Sequence, residues 1–579
     1  MPEPTPAVAV PATQHAIQSV AAGETVHNRA KPVPAPGPTQ ILLRIEAVGI
    51  CFSDTKLLHA FTNHPRKGEV IGGLSPEVLA EIPSYVPGEA PTVPGHEVVA
   101  RIVAIGDAVA QHTIGERVLV QTDYRHLPTA RSNAAFGYNF EGGLQEYVVV
   151  DERMVIEPGT GERFLIPVDE EPSASAVALL EPWACVEASY TVRERGTLLP
   201  SGRLLVVADR GATVRGLDTL LSAATPGSAT VVAADDAQAA TVGSALSQAG
   251  VAVVQAGAPD DLEPASFDDI VYFGSDAGRI EVLGTLLAPR GVIDIVLGGG
   301  SIGRPVAVDV GRVHYDLTRW VGTTGDSAAD GYAGIPADGE LRAGDREAVI
   351  GAAGPMGFMH VVRAATSGLA GLEVVSIDID DARLAHLADV AGPLAAERGV
   401  AASFLNSRIT SPEPGFSYVA VMVPAPALVV QALDLAGAGA RVNLFAGFAV
   451  GTLAALDLDM LLAKGAYLFG TSGSEIADMK AVLAKLERGD LDTNVSLDAV
   501  TGMEGVGDAL AAVEARTSGG KIVVYPSLPE MGLVRLSELP ERLPAVGARL
   551  RGGRWTRAAE EELLGTAGAA TAAGAAPPR

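Results

Sequence analysis

A thiol and an imidazole are the residues best suited to chemistry in this 579-residue chain. Cys51 stands in Gly49-Ile50-Cys51-Phe52-Ser53-Asp54, and His96 stands in Pro94-Gly95-His96-Glu97, 45 residues later. Thiolate sulfur and imidazole nitrogen both suit zinc, and a catalytic zinc takes three protein ligands and keeps a fourth position open. The third ligand falls to Glu97 or to Glu181, the latter in Leu179-Leu180-Glu181-Pro182. Zinc in such a site polarises a carbonyl or lowers the pKa of an alcohol. Asp54 is spaced to hold the far nitrogen of His96, as carboxylates behind metal-bound imidazoles do. Ser53 can pass a proton. A single buried cysteine or histidine is more often core filling than a ligand, so the pair gains weight only from what accompanies it.

A second chemical signal lies near the middle of the chain. Ala348-Val349-Ile350 reads as a short strand that runs into Gly351-Ala352-Ala353-Gly354-Pro355-Met356-Gly357 and then a helix. A glycine turn between strand and helix leaves free amides and a positive helix end for a pyrophosphate. Gly351, Gly354, Pro355, Met356 and Gly357 are the candidate cradle. Asp378 ends the next strand, 21 residues after Gly357, near the spacing of about 20 expected of a ribose-binding acid. A carboxylate there accepts from the ribose hydroxyls and repels a 2′-phosphate. Positions 379–381 are Ile, Asp and Asp, with no arginine, so NAD(H) is expected over NADP(H).

The elements that must position these residues form two zones. The first 190 residues read as short strands with tight turns, among them Ile41 to Ile50, Val98 to Ile105, Arg117 to Val120 and Leu144 to Val150. From Arg203 onward strand, helix and strand alternate, which argues a doubly wound parallel sheet. That rhythm occurs twice. Val207 and Ile350, Gly211 and Gly354, and Asp235 and Asp378 each stand 143 residues apart, and Gly322-Thr323-Thr324-Gly325 precedes Gly470-Thr471-Ser472-Gly473 by 148. The chain therefore carries the fold as a tandem repeat. The first copy has Val214 where Gly357 falls in the second, and Asp209 and Arg210 in its turn. Bulk and negative charge there obstruct a phosphate, so the first copy is expected to be structural.

The ordered set of Gly-Ile-Cys51-x-Ser53-Asp54, Pro-Gly-His96-Glu97, Gly115-Glu116-Arg117-Val118, Glu181-Pro182 and the glycine turn resembles the zinc-containing medium-chain alcohol and polyol dehydrogenases. The likeness covers about residues 38–530, with the first copy as an insertion. Gly470 to Gly473, Leu491 to Asn494 and Gly520 to Pro526 further resemble an L-sorbose-1-phosphate reductase-like branch. The resemblance implies an α/β protein: an N-terminal GroES-like β-barrel catalytic domain plus two tandem Rossmann-type sheets, the first degenerate. It implies Zn2+ at Cys51, His96 and one of the two glutamates, NAD(H), and hydride transfer to or from a secondary alcohol or ketone of a polyol, sugar or sugar phosphate. Relatives carry a four-cysteine structural zinc site, which a chain with two cysteines cannot build. They also place a proton-relaying histidine where Lys56 stands here, so Lys56 joins Ser53 and Asp54 as a catalytic candidate.

The implied organisation is a flexible lead-in over 1–35 and a catalytic domain over 36–195 that is completed by about 480–540. A degenerate nucleotide fold follows over 196–340, a working one over 341–480, and a disordered tail over 553–579. The net charge of −27 disfavours nucleic acid and anionic membranes. No apolar run approaches a bilayer span, and no signal-peptide pattern opens the chain. A cytoplasmic homo-oligomer acting on a small polyol or ketose phosphate is the expectation. The alternatives are a zinc-free enone or quinone reductase on the same fold, and a non-catalytic nucleotide or ligand sensor.

Overall fold

The structure, a computed structural model, describes residues 10–574. They divide into two compact units, one built from residues 1–184 and 474–579 and the other from 185–473.

In the first unit a mixed sheet runs in the spatial order Val534–Arg535, Leu497–Thr501, Lys521–Val524, Gln40–Ile50, Glu97–Ile105, Arg117–Val120, Leu165–Pro167. Tyr147–Asp151 also pairs with Gln40–Ile50. These strands are runs of Val, Ile and Leu with almost no exposed side chain, as expected of a sheet that closes on its own core. The lead-in expected to be flexible is ordered from residue 10. Thr13–Ala21 and Glu24–Pro32 form an antiparallel hairpin. The amide of Ile17 bonds the Leu144 carbonyl, and Ser19 exchanges bonds with Thr92. Alternation in Thr13 to Ala21 was masked by its Pro-rich surroundings. Residues 1–9 lie outside the described residues.

The tail expected to be disordered is also corrected. Arg557–Gly574 is a helix, and residues 575–579 lie outside the described residues. The Ala-rich composition that suggested disorder is the composition of highest helix propensity. The helix is anchored where Trp555, Ala559 and Leu563 are buried. The buried Glu560 carboxylate accepts the amides of Ala174 and Ser175, at the start of helix Ala174–Ala178, and the Tyr525 hydroxyl.

The second unit holds both copies of the repeat, and they share one sheet. Its twelve strands run Ala252–Gln255, Ser228–Ala233, Arg203–Ala208, Phe267–Phe273, Leu287–Val296, Arg319–Thr323, then Tyr467–Phe469, Ala436–Leu444, Phe416–Val421, Arg346–Ile350, Glu373–Asp378, Ala401–Asn406. Numbered within each copy, the order is 3-2-1-4-5-6 followed by 6-5-4-1-2-3, the dinucleotide-fold order met by its own reversal. Pairing is parallel within each copy and antiparallel only at the junction of Arg319–Thr323 with Tyr467–Phe469. The two tandem doubly wound sheets are therefore continuous, with one apolar core that includes Ile293, Ile295 and Trp320 of the first copy and Val419, Val442 and Leu468 of the second.

Candidate functional site

Three strand ends in the first unit bring the metal candidates together. Cys51 directly follows Gln40–Ile50 and caps the helix Phe52–Ala60. Antiparallel register sets Gly49 opposite Glu97 and Ile50 opposite Ile522. Cys51, the His96–Glu97 pair and Lys521 are thereby delivered to one place from positions far apart in the chain. The sulfur of Cys51, a ring nitrogen of His96 and a carboxylate oxygen of Glu97 lie within 4.8 Å of one another. Glycine at position 49 leaves room for that carboxylate: a Cβ would stand 2.0 Å from Glu97 Oε2 and displace it.

Asp54 organises the group. It lies at the third position of the Cys51-capped helix, where its Oδ2 accepts the Cys51 amide at 2.8 Å. Its Oδ1 accepts the Gly95 amide and meets His96 Nδ1, each at 3.2 Å. Burial alone would raise this carboxyl, but the imidazole and the two amides hold it below the ordinary range. With Nδ1 committed to Asp54, Nε2 of His96 is the atom left to face a metal, and Ser53 Oγ is 3.2 Å from it. Tyr138, which the sequence did not single out, packs its ring 5.8 Å from that of His96 and shares Ser53 as a hydrogen-bond partner.

Lys521, in the segment Gly520 to Pro526, is a second residue that the sequence did not single out. Buried in the same place, it donates to Glu97 Oε1 at 2.5 Å. Burial would push the ammonium down, but Glu97, Cys51 and Glu181 raise it above its ordinary value. Glu97 keeps its other oxygen, Oε2, buried and without a protein partner. Glu181, in the first turn of Leu180–Thr191, adds to the field on Lys521 but stands outside the cluster of ligand atoms. Lys56 is exposed, with its ammonium 5.7 Å from the Phe52 ring. It shares with Arg66 and Arg131 the field around His64, whose imidazole is pushed down to about 4, chiefly by burial and then by those cations. His64 and Arg66 both contact the Tyr138 ring, at 4.9 and 5.6 Å.

The nucleotide candidates lie in the second unit. Strand Arg346–Ile350 passes through Gly351 and reaches a helix capped by Gly354, with Pro355 first and Met356 second. Proline in the first turn needs no amide partner. Gly357 lets the helix press on the turn, because a Cβ there would meet Gly351 O at 2.3 Å. Asp378 ends its strand, accepting the Ala353 amide at 3.0 Å and those of Ile379 and Asp380 at 2.8 and 3.3 Å. An arginine is nearer than positions 379–381 suggested: Arg383 Nη2 is 3.5 Å from Asp378 Oδ2.

The matching turn of the first copy is built differently. Its helix, Leu217–Ala223, starts later and behind a left-handed Gly216. Asp209 is taken by the Tyr272 hydroxyl and by Arg279 at 3.0 Å. Gln238 donates to the carbonyls of Asp209 and Ala212. Asp235, the counterpart of Asp378, caps the helix Asp236–Gln248. The cradle is filled by its own side chains.

Residues 37–159 match the alcohol dehydrogenase GroES-like domain. The chain is 29% identical over 213 residues to L-galactonate-5-dehydrogenase from Escherichia coli, covering 35% of this chain and 51% of that protein. It is 30% identical over 234 residues to D-altritol 5-dehydrogenase from Agrobacterium fabrum, covering 38% of this chain and 58% of that one. The chain thus spans about half the length of these curated relatives. In fold it is similar to 2R,3R-butanediol dehydrogenase from Bacillus subtilis, at 15% identity and a TM-score of 0.50 over 89% of this chain and 100% of that one. Residues 37–159 thus carry an alcohol dehydrogenase GroES-like domain, and beyond them the chain is similar to proteins named as zinc-type alcohol and polyol dehydrogenases.

Proposed function

We propose that the protein is a zinc-dependent oxidoreductase that moves a hydride between NAD(H) and a secondary alcohol or ketone of a polyol, sugar or sugar phosphate. The observation that carries this is the convergence of Cys51, His96 and Glu97 within 4.8 Å, with Asp54 on the far nitrogen of the imidazole. The donor set fits zinc: one thiolate, one imidazole with a fixed tautomer, and one buried carboxylate oxygen that no protein group satisfies. Zinc bound there supplies a Lewis acid that polarises a carbonyl or stabilises an alkoxide.

The chain's own groups do the rest. Asp54 keeps the proton on Nδ1 of His96 and so fixes the ring. Ser53, in contact with His96 Nε2 and with Tyr138, is placed to carry the hydroxyl proton of the substrate. Lys521 neutralises Glu97 and limits the negative charge that a thiolate and two glutamates would otherwise build up. In the second copy the helix start at Pro355 offers amides to the pyrophosphate, and Asp378 offers its carboxylate to the adenine-side ribose. Lys56, Arg66 and Arg131 around His64 favour a substrate that carries an anionic group, the sugar-phosphate end of the range.

Elemental analysis tests the reading. We expect about one zinc per chain, from a single three-ligand site, and NADH-linked turnover of ketoses or polyols. Cys51→Ala should lose both. A zinc-free preparation that reduces enones would favour the reductase alternative, and NADH binding without turnover would favour the sensor.

A further inference from the structure

The two copies in the second unit meet through like elements. Trp320 of the first pairs with Leu468 of the second, and these positions are 148 residues apart, the offset that relates the repeats. Beside this junction a second pair of equivalent strands, Val306–Asp309 and Leu453–Leu456, is also antiparallel. There Val306 faces Leu456 and Val308 faces Ala454, so a shift of 148 exchanges one pair for the other. Ala307 faces Ala455, its own counterpart. Patch i meets patch j while j meets i, which is the mark of an isologous, two-fold interface. Such an interface ordinarily joins two identical chains. Here both sides belong to one.

We infer that the first copy is a resident partner: within one polypeptide it covers the sheet edge and the short strand Leu453–Leu456 by which a single-copy chain would pair with a second copy of itself, so the protein is complete as a monomer. The seam has the composition of a permanent interface. Val306, Val308, Val310, Val313 and Trp320 of the first copy are all buried, as are their counterparts Ala454, Leu456, Leu458, Leu461 and Leu468. Obligate interfaces are apolar in this way. Polar groups reinforce it from both sides. Arg319 of the first copy and Tyr467 of the second, equivalent positions, both bond Glu194. Arg319 also donates to the Gly470 carbonyl at 3.0 Å. Asp309 accepts the Gly451 amide at 2.9 Å, and Asp459 in return accepts the Gly303 amide at 2.8 Å.

The contrast with the nucleotide turn supports the assignment. The packed positions of the seam, from Val306 to Trp320 and from Ala454 to Leu468 as named above, are apolar in both copies. Cradle positions differ, and in the first copy they are filled by Asp209, Tyr272, Arg279 and Gln238. The first copy has kept what pairs and not what binds. An uncovered strand Tyr467–Phe469 would leave a buried-type edge ready to associate, and the first copy removes that edge.

The test uses the full chain. Sedimentation over roughly 1–100 µM should give one species near 59.2 kDa, with a midpoint of thermal unfolding that does not move with protein concentration, as a self-associating fold's would. Ala307→Cys combined with Ala455→Cys places thiols on facing positions. Oxidation should yield a cross-link within one chain, seen as faster migration without a two-chain band, while the wild type, with Cys51 and Cys185 alone, does not change. A species of twice the mass, or a cross-link that joins two chains, would overturn the proposal. Should the double variant fail to fold, the mass of the wild type still decides.

Discussion

Replacing Asp378 by alanine separates the two copies and the two cofactors in one experiment. The carboxylate is nearly buried, holds three backbone amides, and faces Arg383 at 3.5 Å. Bound NADH would donate up to two ribose hydroxyl hydrogens to it, and hydrogen bonds to a charged group contribute about 1.5–3 kcal/mol each. Water replaces part of that loss, so NADH should weaken by about 2–3 kcal/mol, or roughly 30-fold to 150-fold. Removing the negative charge also frees Arg383 for a 2′-phosphate, a gain of about 1 kcal/mol for NADPH at a partly exposed site. The ratio of the two affinities should therefore shift by about 3–4 kcal/mol, some 150-fold to 1000-fold. Fluorescence titration with NADH and NADPH reads this ratio, and circular dichroism checks that the turn survives the loss of its amide acceptor. Adding Arg383→Ala should cancel the NADPH gain and leave the NADH loss. A folded Asp378→Ala protein whose ratio moves less than about threefold refutes the assignment. So does a shift of this size from Asp235→Ala, in the first copy.

Two further outcomes follow from the charges. Burial lifts Glu347 to about 7 from 4.5, against the pull of the Tyr190 hydroxyl and Arg363. The folded chain thus keeps a proton that the unfolded chain releases sooner, and stability is lost as pH rises from about 4.5 to about 7, by roughly 3 kcal/mol in all. Glu347→Gln should remove this slope in denaturant unfolding compared at pH 5 and pH 8, while the opposing slope from His360, held down to about 3 by burial and Arg363, stays in both proteins; equal changes in wild type and variant would count against it. At the candidate active site, Lys56→Gln with Arg131→Gln should raise KM for a ketose phosphate about tenfold, some 1.4 kcal/mol for two exposed cations, and leave a neutral polyol within about twofold. Equal effects on both substrates would mean that these cations do not read an anionic group.

Local pattern made much of this legible. Gln40–Ile50 and Glu97–Ile105 are apolar runs whose ends carry Cys51 and His96, and the motifs around those two residues marked them as ligand candidates. The repeat was legible because turns and the acids that end strands recur at a fixed offset. Lys521 was not, since nothing within its own segment says that antiparallel register will set Ile522 opposite Ile50 and bring its ammonium to Glu97, 424 residues away. Arg383 escaped because a helix turn, not sequence adjacency, returns it to Asp378. The tail misled for a related reason. Alanine favours the helix and glycine opposes it, and a buried anchor, here Trp555 with Glu560, decides the matter.

The first copy shows that a nucleotide fold has two separable sources of order. Its strands are held by apolar burial, at about 25 cal/mol per Å² removed from water, and by the seam with the second copy. Neither involves the turn after Arg203–Ala208. That turn needs glycine and an open helix start only if a phosphate must approach. Once it need not, Asp209 can take the Tyr272 hydroxyl and the Arg279 guanidinium, and Gln238 can bond the loop carbonyls, so that polar groups which a cofactor would have met are satisfied from within. The exchange is local and leaves the sheet order unchanged. The second copy cannot make it: Gly351, Gly357 and the amides that turn toward Asp378 would have to be filled at the place where the proposed cofactor binds. On the proposed reading, therefore, the packing of the turn against its own side chains separates the two copies better than the presence of the sheet does.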